Sequence, residues 1–333
     1  MLLELVQHTP TLADLGVRIR RRQITFPVPK HRAICNPSVA RNPATGKLRV
    51  TVRSVNYFLT DQYTAWMDDP YPMRTINYVA DVSDDLRVNK PRAIEDADLI
   101  GPYTHYPVLG FEDLRLFRYR DGWWAVANRA NVDHRHTHQM QLLRLRGAHI
   151  AECIPLTSAT NEQLEKNWMP AIDPATGDLR LIYSCNPAVV LRYDHDTRTV
   201  EPEAIHPAPQ IAAGLRGGTQ AIPFDGGYLC LTHDFARRDG EYLRTYFHRW
   251  LWFAADWRIG RVSQPFFLQR LGIEFACGLV RTGKHLLISY GVWDREAWLA
   301  RVPVADVRTL LQAPLTPDAA QRRLHALQAR FPP

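Results

Sequence analysis

The chain has 333 residues, of which 46% are hydrophobic and 23% are charged, with 24 Pro and 18 Gly, a balance that excludes a disordered or collagen-like protein. Its formal net charge of +7 comes from 41 Lys and Arg against 34 Asp and Glu. Because only five of the 41 basic residues are lysines, and an arginine excess often reflects genome composition, the basicity is weak evidence for nucleic-acid binding.

The N-terminal segment, residues 1–31, is predicted to be an extension with a short helix between Thr11 and Arg21. Polar residues interrupt the region where a signal peptide would be apolar: Glu4, His8 and Asp14. No run reaches the roughly 18 to 20 apolar residues of a membrane span. A basic cluster follows without a recognisable nucleic-acid-binding fold around it: Arg18, Arg20, Arg21 and Arg22. We therefore predict a cytoplasmic protein with no membrane or nucleic-acid partner.

A turn followed by an apolar strand recurs five times between residues 32 and 304. Each copy has a glycine in a short turn, where the positive φ that such turns require costs glycine little. These glycines are Gly46, Gly122, Gly177, Gly226 and Gly283. Their spacing of 49 to 76 residues suits one four-stranded antiparallel blade per copy. We predict an all-β fold, a five-bladed β-propeller with short terminal helices; an all-β sandwich is the alternative.

Each copy also carries a distinctive motif before its turn and a polar side chain seven residues after its glycine. The motifs are CNPSV (35–39), FEDLR (111–115), EKNWMP (165–170), RGGTQ (216–220) and EFACG (274–278). The side chains after the turns are Arg53, Arg129, Ser184, His233 and Tyr290. Because the innermost strands of all blades surround one channel, we predict that the motifs share a pocket. Its predicted members are Asn36, Glu112, Asp113, Lys166, Asn167, Gly217, Gly218 and Glu274.

The C-terminal part of the chain predicts a second helix, from Pro317 to Phe331, with Thr316 as its N-cap. The predicted domains are therefore the extension at 1–31, a catalytic propeller at 32–304 and a helical tail at 305–333. The terminal helices could cap the propeller or form a dimer contact, so a homo-oligomer stays open.

The motif side chains suit the binding of sugars and anions. A carboxylate gathered with cations in a partly desolvated pocket can act as a general acid or base, and Glu112 and Asp113 are the candidates. Lys166 suits phosphate or carboxylate, and Trp168 suits stacking on a sugar ring. His233 could bind an anion, orient a hydroxyl or relay a proton. A local ion pair, a solvated lysine and a structural histidine are the respective structural alternatives.

Several kinds of chemistry lack their sequence signals. The chain has no GxxxxGK loop, no GxSxG elbow and no GxGxxG after a strand, which disfavours nucleotide-dependent chemistry and serine hydrolysis. Its five cysteines form no Cys-x-x-Cys pair and are predicted to be free thiols. The histidines at 134–138 lie in a predicted interblade loop without a carboxylate geometry, so we predict no metal.

From Arg32 to Val304 the chain resembles glycoside hydrolase family 130, five-bladed propeller enzymes that act on β-mannosides, mostly as phosphorylases with some hydrolases. The resemblance rests on five segments in the family's order: Asn36-Pro37 with the strand ending at Arg53, GFEDLRLF (110–117), EKNW (165–168), the glycine-rich fourth motif followed by His233, and ISYGVWD (288–294). The chain departs from the pattern at Leu114, where the family has Pro, and in RGGTQ and EFACG.

The resemblance implies that Asp113 is the general acid, acting directly on the glycosidic oxygen or through a sugar hydroxyl. It implies that Lys166 and His233 hold inorganic phosphate together with an arginine, for which we take Arg129 over Arg144 and Arg146. It further implies a set of substrate-binding residues: Asn36, Arg53, Glu112, Arg115, Asn167 and Asp294. The expected substrate is an oligosaccharide or glycoside, with phosphate as co-substrate and no cofactor.

Three alternatives to phosphorolysis stay open. A phosphate-independent hydrolase would use a carboxylate such as Glu274 or Glu165 to activate water. Glycosyltransferase relatives share the propeller, so transfer to another acceptor is the second alternative. The third is a non-catalytic glycan-binding propeller, whose surface would be built from tryptophans: Trp123, Trp124, Trp250, Trp252 and Trp293.

Overall fold

The computed structural model describes residues 9–59, 65–66, 73–99, 108–129, 138–157, 166–237 and 244–311. Antiparallel strands dominate these ranges and form five sheets arranged as the blades of a propeller. The predicted all-β, five-bladed architecture is confirmed. None of the helices in these ranges is long and apolar enough to cross a membrane.

The strands follow one another blade by blade. The chain starts with β1 (Arg20–Ile24), which belongs to blade 5. Blade 1 contains β2 (Ala33–Arg41), β3 (Leu48–Val55), a short hairpin of β4 (Phe58–Leu59) and β5 (Ala65–Trp66), β6 (Met73–Val82), β7 (Val88–Ala93) and β8 (Val108–Leu109), which pairs in parallel with β6. Blade 2 contains β9 (Phe111–Tyr119), β10 (Gly122–Arg129), β11 (Gln139–Arg146) and β12 (His149–Leu156).

The remaining three blades complete the ring. Blade 3 contains β13 (Met169–Ile172), β14 (Leu179–Cys185), β15 (Ala188–Asp194) and β16 (Thr199–His206). Blade 4 contains β17 (Arg216–Gly217), β18 (Ile222–Phe224), β19 (Gly227–Arg237), β20 (Arg244–Phe253) and β21 (Ile259–Val262). Blade 5 contains β22 (Glu274–Thr282), β23 (His285–Val292), β24 (Glu296–Pro303) and β1. Helix α1 (Val304–Leu310) follows, and short 3-10 turns lie at Ala97–Leu99 and Gln210–Ala212.

The ring is closed by the N-terminal strand. β1 pairs antiparallel with β24, so it forms the outer edge of blade 5, and β2 packs against β22 and β23. Apolar side chains fill the spaces between neighbouring blades. At the junction of blades 4 and 5, for example, Leu231 and Trp250 pack in one cluster with Leu286 and Ile288.

The helix predicted between Thr11 and Arg21 is wrong. Residues 12–16 form a turn that ends at Gly16, with φ of +77°, and β1 follows. Long-range contacts fix this conformation, because Leu12 donates its N–H to the Phe267 carbonyl and is buried against blades 4 and 5. β1 therefore places part of the predicted extension at 1–31 inside the propeller. The helix predicted from Pro317 to Phe331 lies outside the described residues.

The repeated turns and motifs have equivalent positions in the blades. Each of the five glycines lies in the turn before the second strand of its blade or at the start of that strand. Each motif lies at, or leads directly into, the start of the innermost strand. The start of every first strand and the end of every second strand consequently share one end of the propeller axis, which we call the motif end.

Candidate active site at the motif end

Left-handed backbone positions turn polar side chains toward this end of the axis. Four motif residues have positive φ: Asn36 (42°), Asp113 (52°), Asn167 (65°) and Asp294 (50°). The strand pairing shifts by one residue at Asn36 in blade 1 and opposite Asp113 in blade 2. A β-bulge of this kind bends the strand and re-aims a side chain, and Asn and Asp tolerate the left-handed region better than most residues.

Arg53 joins the two carboxylates of the second motif. Its guanidinium is buried and donates through Nη1 to Asp113 Oδ1 and through Nη2 to Glu112 Oε1, each at 3.1 Å. It also donates to the Tyr57 hydroxyl at 3.0 Å and to Thr75 Oγ1 at 3.2 Å. One cation from blade 1 therefore fixes both carboxylates of blade 2.

Asp113 is held by one of its two carboxylate oxygens. Oδ1 accepts from Asn36 Nδ2 at 2.9 Å and from Arg53, whereas Oδ2 accepts no hydrogen bond from any described residue. The side chain is 20% exposed. Its position is thus set by neighbouring blades while one oxygen stays available to a ligand.

Glu112 lies beside Asp113 and is the anionic partner of a lysine. Its Oε2 accepts from Asn128 Nδ2 at 3.2 Å and lies 3.8 Å from Lys166 Nζ. Burial raises the pKa of Glu112, but Arg53, Lys166 and His138 together bring that pKa below its ordinary value. Lys166 keeps 36% of its side chain exposed, so its ammonium can reach a second anion.

Asp294 contributes a third carboxyl from blade 5. Its Oδ2 accepts from the Tyr57 hydroxyl at 3.1 Å, and its Oδ1 lies 3.4 Å from Asn36 Nδ2. Burial raises the pKa of Asp294. The nearby Asp113 and Glu112 also raise this pKa, whereas Arg53 lowers it, and the net effect is a raised pKa. Burial thus favours the protonated form of Asp294.

Arg115 has a different place from the predicted one. It is fully buried and donates to four residues of three blades: to Gly218 O at 2.6 Å, to Asn167 Oδ1 at 3.0 Å, to Asp113 O at 3.3 Å and to Gly217 O at 3.5 Å. Its guanidinium also lies 5.6 Å from the ring centre of Phe275 in blade 5. Arg115 therefore joins the innermost strands of three blades, and its contact with substrate stays a prediction.

Blades 3 and 4 approach closely beside this arginine. A Cβ atom added to Gly217 would lie 1.8 Å from the carbonyl oxygen of Asn167, so only glycine fits between the two strands. Asn167 uses its side-chain oxygen to accept from Arg115. The predicted gathering of the third and fourth motifs with Asp113 is therefore present.

His233 is buried, whereas a side chain that binds an anion from solvent needs an exposed atom. It is buried, with its ring 5.3 Å from that of Tyr246 and 5.1 Å from that of Phe275. Burial first, and then the nearby His248, Arg216 and Arg115, hold the pKa of His233 well below its ordinary value. The imidazole is neutral and can offer a hydrogen bond but no charge; its phosphate-binding role stays a prediction.

Arg129 points away from the cluster. The side chain of its neighbour Asn128 reaches Glu112, and successive side chains of a strand point to opposite faces. Arg129 instead acts on the half-buried Cys153, where it partly offsets the burial that raises the thiol pKa. Arg144, the second candidate, donates to Glu152 at 2.7 Å on the outer strands of blade 2. Lys166 is thus the one residue of the predicted phosphate set that lies beside Glu112 in the described part of the chain.

Glu274 does not join the cluster. Its carboxylate accepts the backbone N–H groups of three successive residues, at 2.6 to 2.9 Å: Leu268, Gln269 and Arg270. It therefore fixes the loop before blade 5 and is not placed to activate water. Glu165, the other carboxylate considered for that role, lies outside the described residues.

Several members of the cluster were not predicted from the sequence. Tyr57 joins Arg53 to Asp294, and Asn128 joins Glu112 to His138 Nδ1 at 3.2 Å. Burial, followed by Lys166, lowers the pKa of His138 to about 4. The position of Tyr57 four residues after Arg53 is a signal that could have been used, but nothing local pairs Asn128 with His138.

Solved structures with the same fold support this architecture. A β-1,2-mannobiose phosphorylase from Listeria innocua shares 13% identity, with a TM-score of 0.60 over 89% of this chain and 99% of that chain. A glycosyl hydrolase from Bacteroides ovatus shares 14% identity, with a TM-score of 0.60 over 81% of this chain and 84% of that chain. A GDP-Man-dependent mannosyltransferase from Leishmania mexicana shares 12% identity, with a TM-score of 0.57 over 85% of this chain and 90% of that chain. No protein-family model and no curated protein sequence matches. The likeness is one of fold.

Proposed function

We propose that this protein is a carbohydrate-active enzyme that cleaves or transfers β-linked mannosyl or related units, with Asp113 as its general acid. The observation that carries the proposal is the anchoring of Asp113 through Oδ1 alone, which leaves Oδ2 without a donor among the described residues, next to Glu112, whose own carboxylate lies 3.8 Å from the partly exposed Lys166. A proton donor must reach the reacting oxygen and keep a fixed orientation, and this arrangement meets both needs.

The favoured reaction is phosphorolysis. Asp113 gives its proton to the glycosidic oxygen, directly or through a sugar hydroxyl, as the bond from that oxygen to the anomeric carbon breaks. An oxygen of inorganic phosphate forms the new bond to the anomeric carbon, so the products are a sugar 1-phosphate and a shortened glycoside. Asn36, Arg53, Glu112 and Asp294 supply donors and acceptors for sugar hydroxyls around the reacting centre.

Lys166 is the residue that we assign to phosphate. Its ammonium is close enough to Glu112 to be oriented by it and is exposed enough to contact a second anion. His233 adds a neutral donor in this proposal. Solved structures of the same fold include a mannobiose phosphorylase and, from Leishmania mexicana, a mannose phosphorylase in complex with a phosphate ion, which supports a phosphate-using reaction.

Phosphate-independent hydrolysis is the second candidate. The described cluster contains three carboxyls, and Asp294 is joined to Asp113 through the amide of Asn36, so the site has a second carboxyl close to the proposed acid. In this variant a carboxylate would activate water in place of phosphate. A mannosyltransferase and a glycosyl hydrolase share the fold. The candidate reactions differ in the molecule that receives the sugar unit, which is phosphate, water or another acceptor, so this molecule must be identified by experiment.

The test is product analysis with β-linked mannobioses, with and without inorganic phosphate. We expect sugar 1-phosphate only when phosphate is present, and a loss of at least about 100-fold in Asp113→Asn, since general acid catalysis contributes about 10² to 10⁴. The matched control is Asp121→Asn, in an exposed turn of blade 2 remote from the motif end.

Each other result points to a defined alternative. Reducing sugar released at the same rate without phosphate would establish hydrolysis. Glycan binding that persists in Asp113→Asn, with no turnover of any donor, would establish a binding module. Lys166→Ala should raise the KM for phosphate, whereas Lys47→Ala, an exposed lysine in the Gly46 turn, should not.

A further inference from the structure

A basic groove lies at the edge of blade 5. It has a volume of about 390 Å³ and is lined by Arg18, Ile19, Arg20, His285, Arg301 and Pro303. These residues come from the start of β1, the start of β23 and the end of β24. That is the end of the propeller axis opposite to the motif end, because β23 runs from His285 toward Asp294. The length of β23, roughly 23 Å at about 3.3 Å per residue, separates the groove from the proposed active site.

The groove contains two arginines in an unfavourable arrangement. Arg20 and Arg301 are directly opposite each other in the antiparallel pair of β1 and β24. Side chains at such positions have Cβ atoms about 4.5 to 5.5 Å apart, and like charges there repel. No described carboxylate forms an ion pair with either of them. The register therefore places two like charges opposite each other, and no described carboxylate offsets them.

The acidic partner of Arg18 is already engaged. The Asp306 carboxylate accepts from the backbone N–H and the guanidinium of Arg18. Arg301 donates to the Asp84 backbone carbonyl at 2.8 Å, while its Nε is buried and has no hydrogen-bond partner in the described chain. His285, which is exposed, adds a ring N–H donor on the third side. The groove thus offers three donor groups to an anion: the guanidiniums of Arg20 and Arg301 and the ring of His285.

We propose that this groove is a second anion-binding site, which takes a phosphate group, free or carried on a sugar. Guanidinium groups match the geometry of phosphate oxygens, and their planar donors can be shared between two arginines and one dianion. A volume of 390 Å³ lies within the size range of sites for small molecules. Binding of a dianion would remove the repulsion between Arg20 and Arg301. The site does not depend on the proposed function, because it shares no residue with the motif end.

The test is titration calorimetry at 0.15 M NaCl in a Lys166→Ala background, which removes the phosphate site proposed at the motif end. The probes are inorganic phosphate, glucose 6-phosphate and glucose. We expect both phosphates to bind and glucose not to bind. Glucose 6-phosphate at least tenfold tighter than inorganic phosphate would assign the site to a phosphorylated sugar, and equal affinities would assign it to free phosphate.

Arg20→Glu is the variant that decides the proposal. It should weaken phosphate binding at least tenfold and, because Glu would face Arg301, leave the Tm in phosphate-free buffer unchanged or higher. Arg20→Lys should keep most of the binding. The matched control Arg192→Glu, at an exposed position of β15, should change the affinity less than twofold. Three results would overturn the proposal. The phosphate affinity could be equal in Arg20→Glu and in the protein with Arg20, or Arg192→Glu could lose as much affinity as Arg20→Glu. The third is a lower Tm in Arg20→Glu.

Discussion

Replacing Arg115 with Met tests how the innermost strands are held together. Met keeps much of the side-chain volume but removes the donors to Gly218 O, Asn167 Oδ1, Asp113 O and Gly217 O. Each unsatisfied acceptor costs about 1 to 3 kcal/mol, and disruption of a buried charged network costs about 3 to 5 kcal/mol. We expect the free energy of unfolding to fall by about 3 to 5 kcal/mol.

Urea denaturation followed by tryptophan fluorescence measures this loss. The control is Arg118→Met on the same strand. The Arg118 guanidinium lies 5.3 Å from the ring centre of Trp123, so this substitution should lower the free energy of unfolding by about 1 kcal/mol or less. An equal loss in the two variants would refute the reasoning, since it would mean that the contacts of Arg115 to blades 3 and 4 add nothing beyond an ordinary arginine on β9.

Three further outcomes follow from the geometry. Gly217→Ala should lower the free energy of unfolding by more than about 2 kcal/mol in urea denaturation, because the new Cβ would collide with the Asn167 carbonyl; a stability within about 0.5 kcal/mol of wild type would contradict the packing. Burial lowers the pKa of His248 to about 3 from an ordinary value of 6.5, so its contribution to stability is present above pH 6.5 and is lost as the pH falls toward 3. Between pH 7 and pH 5 the wild type should therefore lose about 2 kcal/mol more than His248→Gln, and equal losses would contradict a neutral buried His248. Tyr57→Phe should keep the fold and reduce kcat/KM about tenfold with a shifted pH–rate profile, because Asp294 loses its donor; an unchanged profile would separate Tyr57 from the reaction.

The propeller could be predicted because its signals are local and repeated. A glycine turn depends on positive φ at one position, and a blade depends on the spacing of such turns, so both can be read from the sequence. The convergence of Asn36, Arg53, Asp113 and Lys166 then followed from the symmetry of the fold. The choice of Asn or Asp at the bulged positions was a further signal, because these residues accept the left-handed backbone.

What could not be predicted depends on register and long-range contacts. The alternation of side chains turns Asn128 into the cluster and Arg129 out of it, and a change of one residue in register would have reversed them. The burial of His233 comes from Tyr246 on the neighbouring strand β20 and from Phe275, which belongs to β22 of the next blade, 42 residues further along the chain.

The segment around Thr11 was misassigned for a similar reason. Its local sequence permits a helix, but its backbone bonds to Phe267, and the following strand β1 pairs with β24 at the other end of the chain. Contacts of this kind override a weak local preference for helix.

A crystal structure of the Asp113→Asn chain bound to a β-linked mannobiose measures the central claim most directly. We expect the disaccharide at the motif end, with an oxygen of the sugar about 3 Å from the side chain of residue 113 and with hydroxyls bonded to Asn36 and Arg53. A sugar seated elsewhere on the propeller, with the Asp113 position empty at saturating ligand, would contradict it.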